Sequence, residues 1–452
     1  MHLSPTAPSS TRLSDAARPA ASITRDWTCP FCALLCDDLA IESHEGGRLA
    51  APAANCPRLA QALACYGEAD ARGRCSVGAN DTDLDTALTH AAQLLAKAQR
   101  PLFGSLATDV AGARALYTLA AGCGAILDHL HGDALSAATL ALQDRGAFFT
   151  TLSEVRTRAD LVVFFGCQPS RRYPRFFERT LAASPMARDL VFVGCEPDVA
   201  APGLAQARVE AILPDADPFD TLALWSALSE GRAPGALRGG AAHPADAAGT
   251  LAALQARIAA ARYTVLVYEP AALPGPHAAL LIEALHRIVK AANRTVRAGC
   301  LALGGDEGAL SVNQTVTWLS GLPLRTHVAA PLDHNPHRYR TARLLANGEI
   351  DALLWVASFA PPAALPEISG DLPAIVLGHP ALAQAAKARG GATVFIPVAT
   401  PGIDCGGHLF RTDGPVVTPL AAARRAPLPS VATVVAQLTA RLNAERTAQE
   451  QP

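Results

Sequence analysis

One phrase recurs along this chain and constrains its fold more than any other feature: an apolar run of strand length that stops at a small or polar residue followed by proline. It reads Asp160-LVVFFGCQ-Pro169, Asp189-LVFVGCE-Pro197, Tyr263-TVLVYE-Pro270, Asp351-ALLWVASFA-Pro361 and Pro373-AIVLGH-Pro380. Runs that are apolar at every position, without alternation, suit parallel strands buried on both faces. Alanine- and leucine-rich segments with an apolar face lie between them, over 83–99, 112–121, 250–261 and 275–292, and read as helices. Strand, polar loop, helix, strand is the order of a doubly wound α/β sheet.

Ligands of such sheets bind at the carboxyl ends of the strands, where the loops converge. Gly166-Cys167-Gln168-Pro169, Gly194-Cys195-Glu196-Pro197 and Gly378-His379-Pro380 are therefore candidate cofactor-facing loops. The alternative is that they are ordinary turns in which proline starts the next helix. The strands fall into two groups, about 102–213 and 263–400, which predicts two α/β domains facing each other across a cleft. The stretch 228–250, rich in Gly, Ala and Pro, is the expected linker.

Four cysteines open the ordered chain: Cys29, Cys32, Cys36 and Cys56. The first three share one tight turn, and a fourth thiolate arriving from a separate loop completes the pattern of a 4Fe-4S site. Zinc more often pairs two C-x2-C hairpins, and a vacant structural remnant is the third reading. Cys65 or Cys75 could replace Cys56 as the fourth ligand. Cys123, Cys167, Cys195 and Cys300 sit in apolar surroundings and read as core residues, whereas Cys405 in its glycine-rich loop stays open.

Net charge excludes little but directs the search. Lys plus Arg total 38 against 40 Asp plus Glu, so no nucleic-acid footprint or polybasic membrane contact is expected. No apolar run is long enough for a signal or spanning segment, and a cytoplasmic protein with reduced thiols is expected. The resulting division is a flexible tail over 1–25, a cysteine-rich domain over 26–80, α/β domains over 81–227 and 251–400, the 228–250 linker, and a segment over 401–452 that returns to the cleft.

Five collinear blocks resemble one family. They are TCPFCALLCDDLAIE (28–42), RADLVVFFGCQPSRRYPRF (158–176), GALSVNQTVTWLSGLPLRTH (308–327), YRTARLLANGEIDALLWVAS (339–358) and FIPVATPGIDCGGHLFRTDG (395–414). The chain resembles the B-type subunits of formylmethanofuran dehydrogenase and of the bacterial formyltransferase/hydrolase complex, within the molybdopterin oxidoreductases. The resemblance implies a two-domain pterin-dinucleotide fold without the C-terminal β-barrel that larger pterin enzymes carry. It implies a role in one-carbon metabolism, and a heteromeric complex with amidohydrolase-like, formyltransferase and glutamate-synthase-like subunits. It also implies a molybdopterin or tungstopterin guanine dinucleotide.

The same resemblance places Leu130 where redox members carry the metal-binding Cys, directly before His131-Gly132. Leucine donates no lone pair to a soft metal, which implies a redox-inactive scaffold. The alternative is a working tungsto- or molybdo-pterin subunit interconverting carbon dioxide or formate and formylmethanofuran. His131 is either a hydrogen-bonded loop residue or a catalytic group. Arg171, Arg172 and Arg175 could clamp a pyrophosphate or face a partner subunit. Asp404 is a cofactor contact or a surface-loop residue.

Overall fold

A computed structural model describes residues 22–67, 73–182, 186–232, 247–359, 365–366 and 370–450. It is a mixed α/β protein with sheets of three, five, nine and two strands. Each of the five apolar runs forms a strand: Leu161–Phe165, Arg188–Val193, Tyr263–Tyr268, Ala352–Ala357 and Ala374–Gly378. Each also pairs in parallel with its neighbours.

The five-stranded sheet runs Ala207–Ile212, Arg188–Val193, Leu161–Phe165, Tyr263–Tyr268, Arg297–Ala302 across its width. Its central strand comes first in the chain, which then winds outward to both sides. Alternation along a strand sends successive side chains to opposite faces. Val162, Phe164, Leu190, Phe192, Val265 and Val267 enter one core with Trp27, Phe31, Tyr173 and Phe176. Leu161, Val163, Phe165, Val191, Val193 and Leu266 enter another, beneath helices Pro218–Ser229, Ala247–Ala260 and Ala278–Ala292. One face thus rests on helices and the other on the cysteine-rich segment, so these strands are apolar at every position.

The nine-stranded sheet has a parallel centre, Pro101–Ala107 beside Ala352–Ala357, Ala374–Gly378 and Thr393–Pro397, with antiparallel pairs at both edges. Its helices begin where short polar side chains take up free backbone donors. Asp83 accepts from the Thr86 N–H at 2.8 Å to start Leu84–Lys97, and Asp109 accepts from the Gly112 N–H at 2.9 Å to start Val110–Cys123. The closing helix Val431–Glu450 contributes Val434, Leu438 and Leu442 to the core beneath this sheet.

The sheets divide the chain differently from the domains expected. Strands on both sides of 228–250 join one five-stranded sheet, and strands from 75–127 and 326–397 join the other. The helices flanking the supposed linker bury Leu222, Trp225, Leu251 and Ile258 in one core, so no boundary falls there; residues 233–246 of that stretch lie outside the described residues. The cysteine-rich segment ends earlier than expected, because Cys75–Val77 pairs with Thr393–Pro397. Most of the expected 1–25 tail lies outside the described residues, but Ser22–Trp27 is a strand paired with Leu39–Ser43.

Candidate functional site

The first site is built by the cysteine loop. The Cys29 N–H donates to the Cys36 carbonyl at 2.9 Å and the Leu35 N–H to that of Cys32 at 3.1 Å, closing a turn in which Leu35 takes a positive φ of 45°. Cys56 arrives from the other side as the residue before helix Pro57–Leu63, with Pro57 at its first position. All four thiols line one cavity of about 270 Å³, its opening included, together with Leu34, Leu39, Leu59, Pro174 and Arg175. Cys75 stands on a strand of the nine-stranded sheet, and Cys65 bonds the Gln61 carbonyl; neither lines this cavity.

Burial dominates the chemistry of these thiols. It pushes Cys29 well above the ordinary thiol range, Cys32 up to about 12 and Cys36 up to about 11, and neighbouring thiols add repulsion. Arg58 beside Cys32, and Arg175 and Arg179 beside Cys36, work in the opposite direction. Three buried thiols that resist ionisation on their own are relieved by a bound cationic group. Among the described residues no three His, Cys, Asp or Glu converge on a point suited to one metal ion. Four cysteines lining one cavity are the donor set that a 4Fe-4S cube requires.

The second site lies at the carboxyl edge of the five-stranded sheet, between the central strand and Tyr263–Tyr268, where the winding direction changes. Gly166, Gln168, Arg171, Arg172, Glu196 and Glu269 are among the residues lining an open cleft of about 910 Å³. Gly166 and Gly194 leave their strands at φ of 57° and 70°, a conformation costly for residues with a Cβ. The Gln168 amide spans the two loops, donating to the carbonyls of Glu196 at 3.0 Å and Pro197 at 3.2 Å. Arg172 is held by Glu269 at 2.7 Å and Asp306 at 3.0 Å. Burial pushes the Glu269 carboxyl up, partly offset by Arg172.

Three other residues expected to contact a cofactor lie outside this cleft. Arg175 turns to the cysteine cavity, where Asp38 accepts two of its bonds at 2.8 and 2.7 Å and Glu178 a third at 2.9 Å. A planar guanidinium finds its bidentate partner there. His379 is fully buried, accepts from the Ala381 N–H at 3.2 Å and meets the Tyr66 ring edge-on at 4.9 Å. Asp404 pairs with Arg424 at 2.7 Å, both buried. Arg424 also donates to the Gly47 carbonyl at 2.8 Å, so the pair fastens the N-terminal segment to the C-terminal one. Neither His379 nor Asp404 lines the cleft.

Leu130 is 41% exposed, held by its N–H on the Ser105 carbonyl at 3.0 Å. The His131 ring stands 3.4 Å from Glu307 and faces a largely apolar cavity of about 550 Å³ that shares Arg172 with the cleft. His129 accepts from the His131 N–H at Nδ1, so its Nε2 carries the proton and faces the Glu307 carbonyl at 3.3 Å. Burial, then His131, lowers its pKa to about 3. Gly132 is obligatory: a Cβ there would meet Asp128 Oδ1 at 2.2 Å.

Sequence reasoning missed Arg58, Glu269, Asp306 and Glu307. Glu269 closes one of the strand phrases and Arg58 follows Cys56 by two residues, so both carried a local signal. Asp306 and Glu307 carried only a glycine-rich neighbourhood.

Fold and site together define a mixed α/β subunit in which a cysteine-lined pocket is set against a ligand-sized cleft. No protein-family model matches the chain. It is 31% identical over 332 residues, 73% of this chain and 86% of the relative, to the B subunit of the formyltransferase/hydrolase complex Fhc of Methylorubrum extorquens. It is 26% identical over 417 residues, 87% of this chain and 92% of the relative, to the B subunit of the tungsten-containing formylmethanofuran dehydrogenase 2 of Methanocaldococcus jannaschii. Its fold matches a chain of the crystallised FhcABCD complex of Methylorubrum extorquens with methylofuran at a TM-score of 0.69 and 26% identity, covering 82% of this chain and 99% of that one. The chain belongs to the family of B subunits of formylmethanofuran dehydrogenases and formyltransferase/hydrolase complexes.

Proposed function

We propose that this chain is the B-type subunit of a heteromeric formyltransferase/hydrolase complex of one-carbon metabolism, with a scaffolding role and no pterin-based redox turnover. Its partners would be amidohydrolase-like, formyltransferase and glutamate-synthase-like subunits, assembled in the cytoplasm. The relative whose fold it matches comes from such an assembly. The feature that carries the reading is Leu130, which the family resemblance places where redox members carry their metal-binding Cys. A tungsten or molybdenum centre there would lack its protein thiolate. Arg172, which could have met a pyrophosphate, is already neutralised by Glu269 and Asp306. Leu130 and the ion-paired Arg172 therefore do not fit the family's pterin centre.

The surface supports a covered subunit. Only 17% of residues are charged, and Trp318 (69%), Phe149 (60%) and Leu280 (56%) are exposed, as apolar groups at subunit contacts are before assembly. Among the described residues no helix is long and apolar enough to cross a membrane. The proposed layout is a doubly wound dinucleotide-type sheet joined to a second α/β unit, with the terminal barrel supplied by another subunit. Cys29, Cys32, Cys36 and Cys56 would hold a 4Fe-4S cluster, which when bound supplies one-electron storage. Arg58, Arg175 and Arg179, which stand beside these thiols, would offset its negative charge.

Elemental analysis of the purified complex tests the scaffold reading. Tungsten and molybdenum are expected near zero per chain, with no viologen-linked formate oxidation. Metal near one per chain with that activity would favour the tungsto- or molybdo-pterin alternative. Shared access of four thiols to one cavity also favours a second reading, an electron-transfer module without pterin; a reduced-cluster EPR signal lost in a Cys29→Ser, Cys32→Ser double variant would support it.

A further inference from the structure

We infer that Asp306 is the positioning residue of the cysteine pocket: it fixes the Cys32 loop and sets the charge that a cluster there experiences. The inference rests on the cluster part of the function proposed above. Asp306 Oδ1 accepts from the Ala33 N–H at 2.9 Å, and Ala33 directly follows Cys32. Its Oδ2 meets Arg58 at 3.0 Å and Arg172 at 3.0 Å. Arg58 lies in the helix that begins at Cys56. One carboxylate therefore grips both segments that deliver thiols to the cavity, and its third partner reaches the cleft through Glu269.

This placement is held at a cost. The Asp306 side chain is 1% exposed, and a buried carboxylate persists only when paired and hydrogen-bonded. Its turn is sterically committed. Gly305, Glu307 and Gly308 have φ of 99°, 55° and 75°, of which the Glu307 value is strained for a residue with a Cβ. A Cβ on Gly308 would stand 1.9 Å from the Thr108 carbonyl oxygen. Conformations of this kind persist where surrounding structure over-determines them. The charges balance locally, with Arg58 and Arg172 against Asp306 and Glu269. Removing Asp306 leaves positive charge beside Cys32, and removing Arg58 leaves negative charge there.

Opposite charges must therefore move a cluster's potential in opposite directions, whereas mere loosening of the loop would move both variants the same way. The test uses Asp306→Asn, which keeps an oxygen for the Ala33 N–H, and Arg58→Gln, whose side chain is 29% exposed and tolerant of change. Full-length wild type and both variants are reconstituted anaerobically, iron and sulfide are counted, and the midpoint potential is read by EPR titration. Equal loading is expected in all three. At fixed potential the reduced-to-oxidised ratio should rise about tenfold in Asp306→Asn, an upward shift of about 59 mV for one electron, and should fall in Arg58→Gln. If Asp306→Asn does not fold, Asp306→Ser, which also removes the charge and keeps a side-chain oxygen, takes its place with the same expected rise. Loaded variants with unchanged potentials, or with shifts in one direction, overturn it. A wild type that takes up no iron overturns the cluster reading and the inference with it.

Discussion

Acid should loosen the Leu130–His131 turn through its neighbour His129. The ring is buried, with a pKa lowered from 6.5 to about 3, so the folded chain refuses a proton that the unfolded chain accepts below about 6.5. A group of this sign contributes stability that is present above the unfolded pKa and is lost as the pH falls toward the folded one. At pH 5 the unfolded side is about 30-fold favoured by protonation while the folded ring stays neutral, which is a loss of about 2 kcal/mol relative to pH 8. That figure depends almost entirely on the unfolded pKa, because pH 5 lies well above the folded one. Other groups also titrate: His286, lowered to about 4, slopes the same way, and Asp128, raised by burial, slopes the other. His131, Glu307 and Asp128 all face the His129 ring or its backbone. A difference measurement therefore isolates His129. Denaturant unfolding of wild type and His129→Gln at pH 8 and pH 5 should show a pH-dependent loss about 2 kcal/mol smaller in the variant. Equal losses in both proteins would refute the assignment of a buried, neutral ring.

Breaking the buried Asp404–Arg424 pair by Asp404→Ala should cost about 3–5 kcal/mol, with faster hydrogen exchange in the segment around Gly47 that Arg424 holds. Calorimetry and exchange mass spectrometry read both effects, and a loss below about 1 kcal/mol would mean the pair is solvated. Gly308→Ala should prevent accumulation of soluble protein, since its Cβ meets a backbone oxygen at 1.9 Å at a φ of 75°, while Gly122→Ala, with nothing within 4 Å, should express normally. Cys32→Ser should abolish iron loading on reconstitution and Cys75→Ser should leave it intact, because only Cys32 lines the shared cavity; iron retained in Cys32→Ser would move the ligand set elsewhere.

What the chain declares about itself is local. A strand buried on both faces must be apolar at every position, so Leu161–Phe165 and Ala374–Gly378 were legible from one line of sequence, as were the helices that Asp83 and Asp109 cap. The cysteine triplet was legible for the same reason, because a short loop keeps its three thiols together whatever surrounds it. Partnership is a different matter. Apolar periodicity records that a strand is buried and not beside what, so the pairing of Pro101–Ala107 with Ala352–Ala357, and the sheet that runs straight across 228–250, were decided by how the whole chain packs. The ionic site lay further from view. Asp306 joins Ala33, Arg58 and Arg172 over separations of 273, 248 and 134 residues, and a carboxylate in a glycine-rich turn looks solvated until the fold buries it. Arg175 shows the converse: its sequence offered it to a pyrophosphate, and the tertiary structure gave it to Asp38, because a buried guanidinium takes the nearest bidentate carboxylate it can reach.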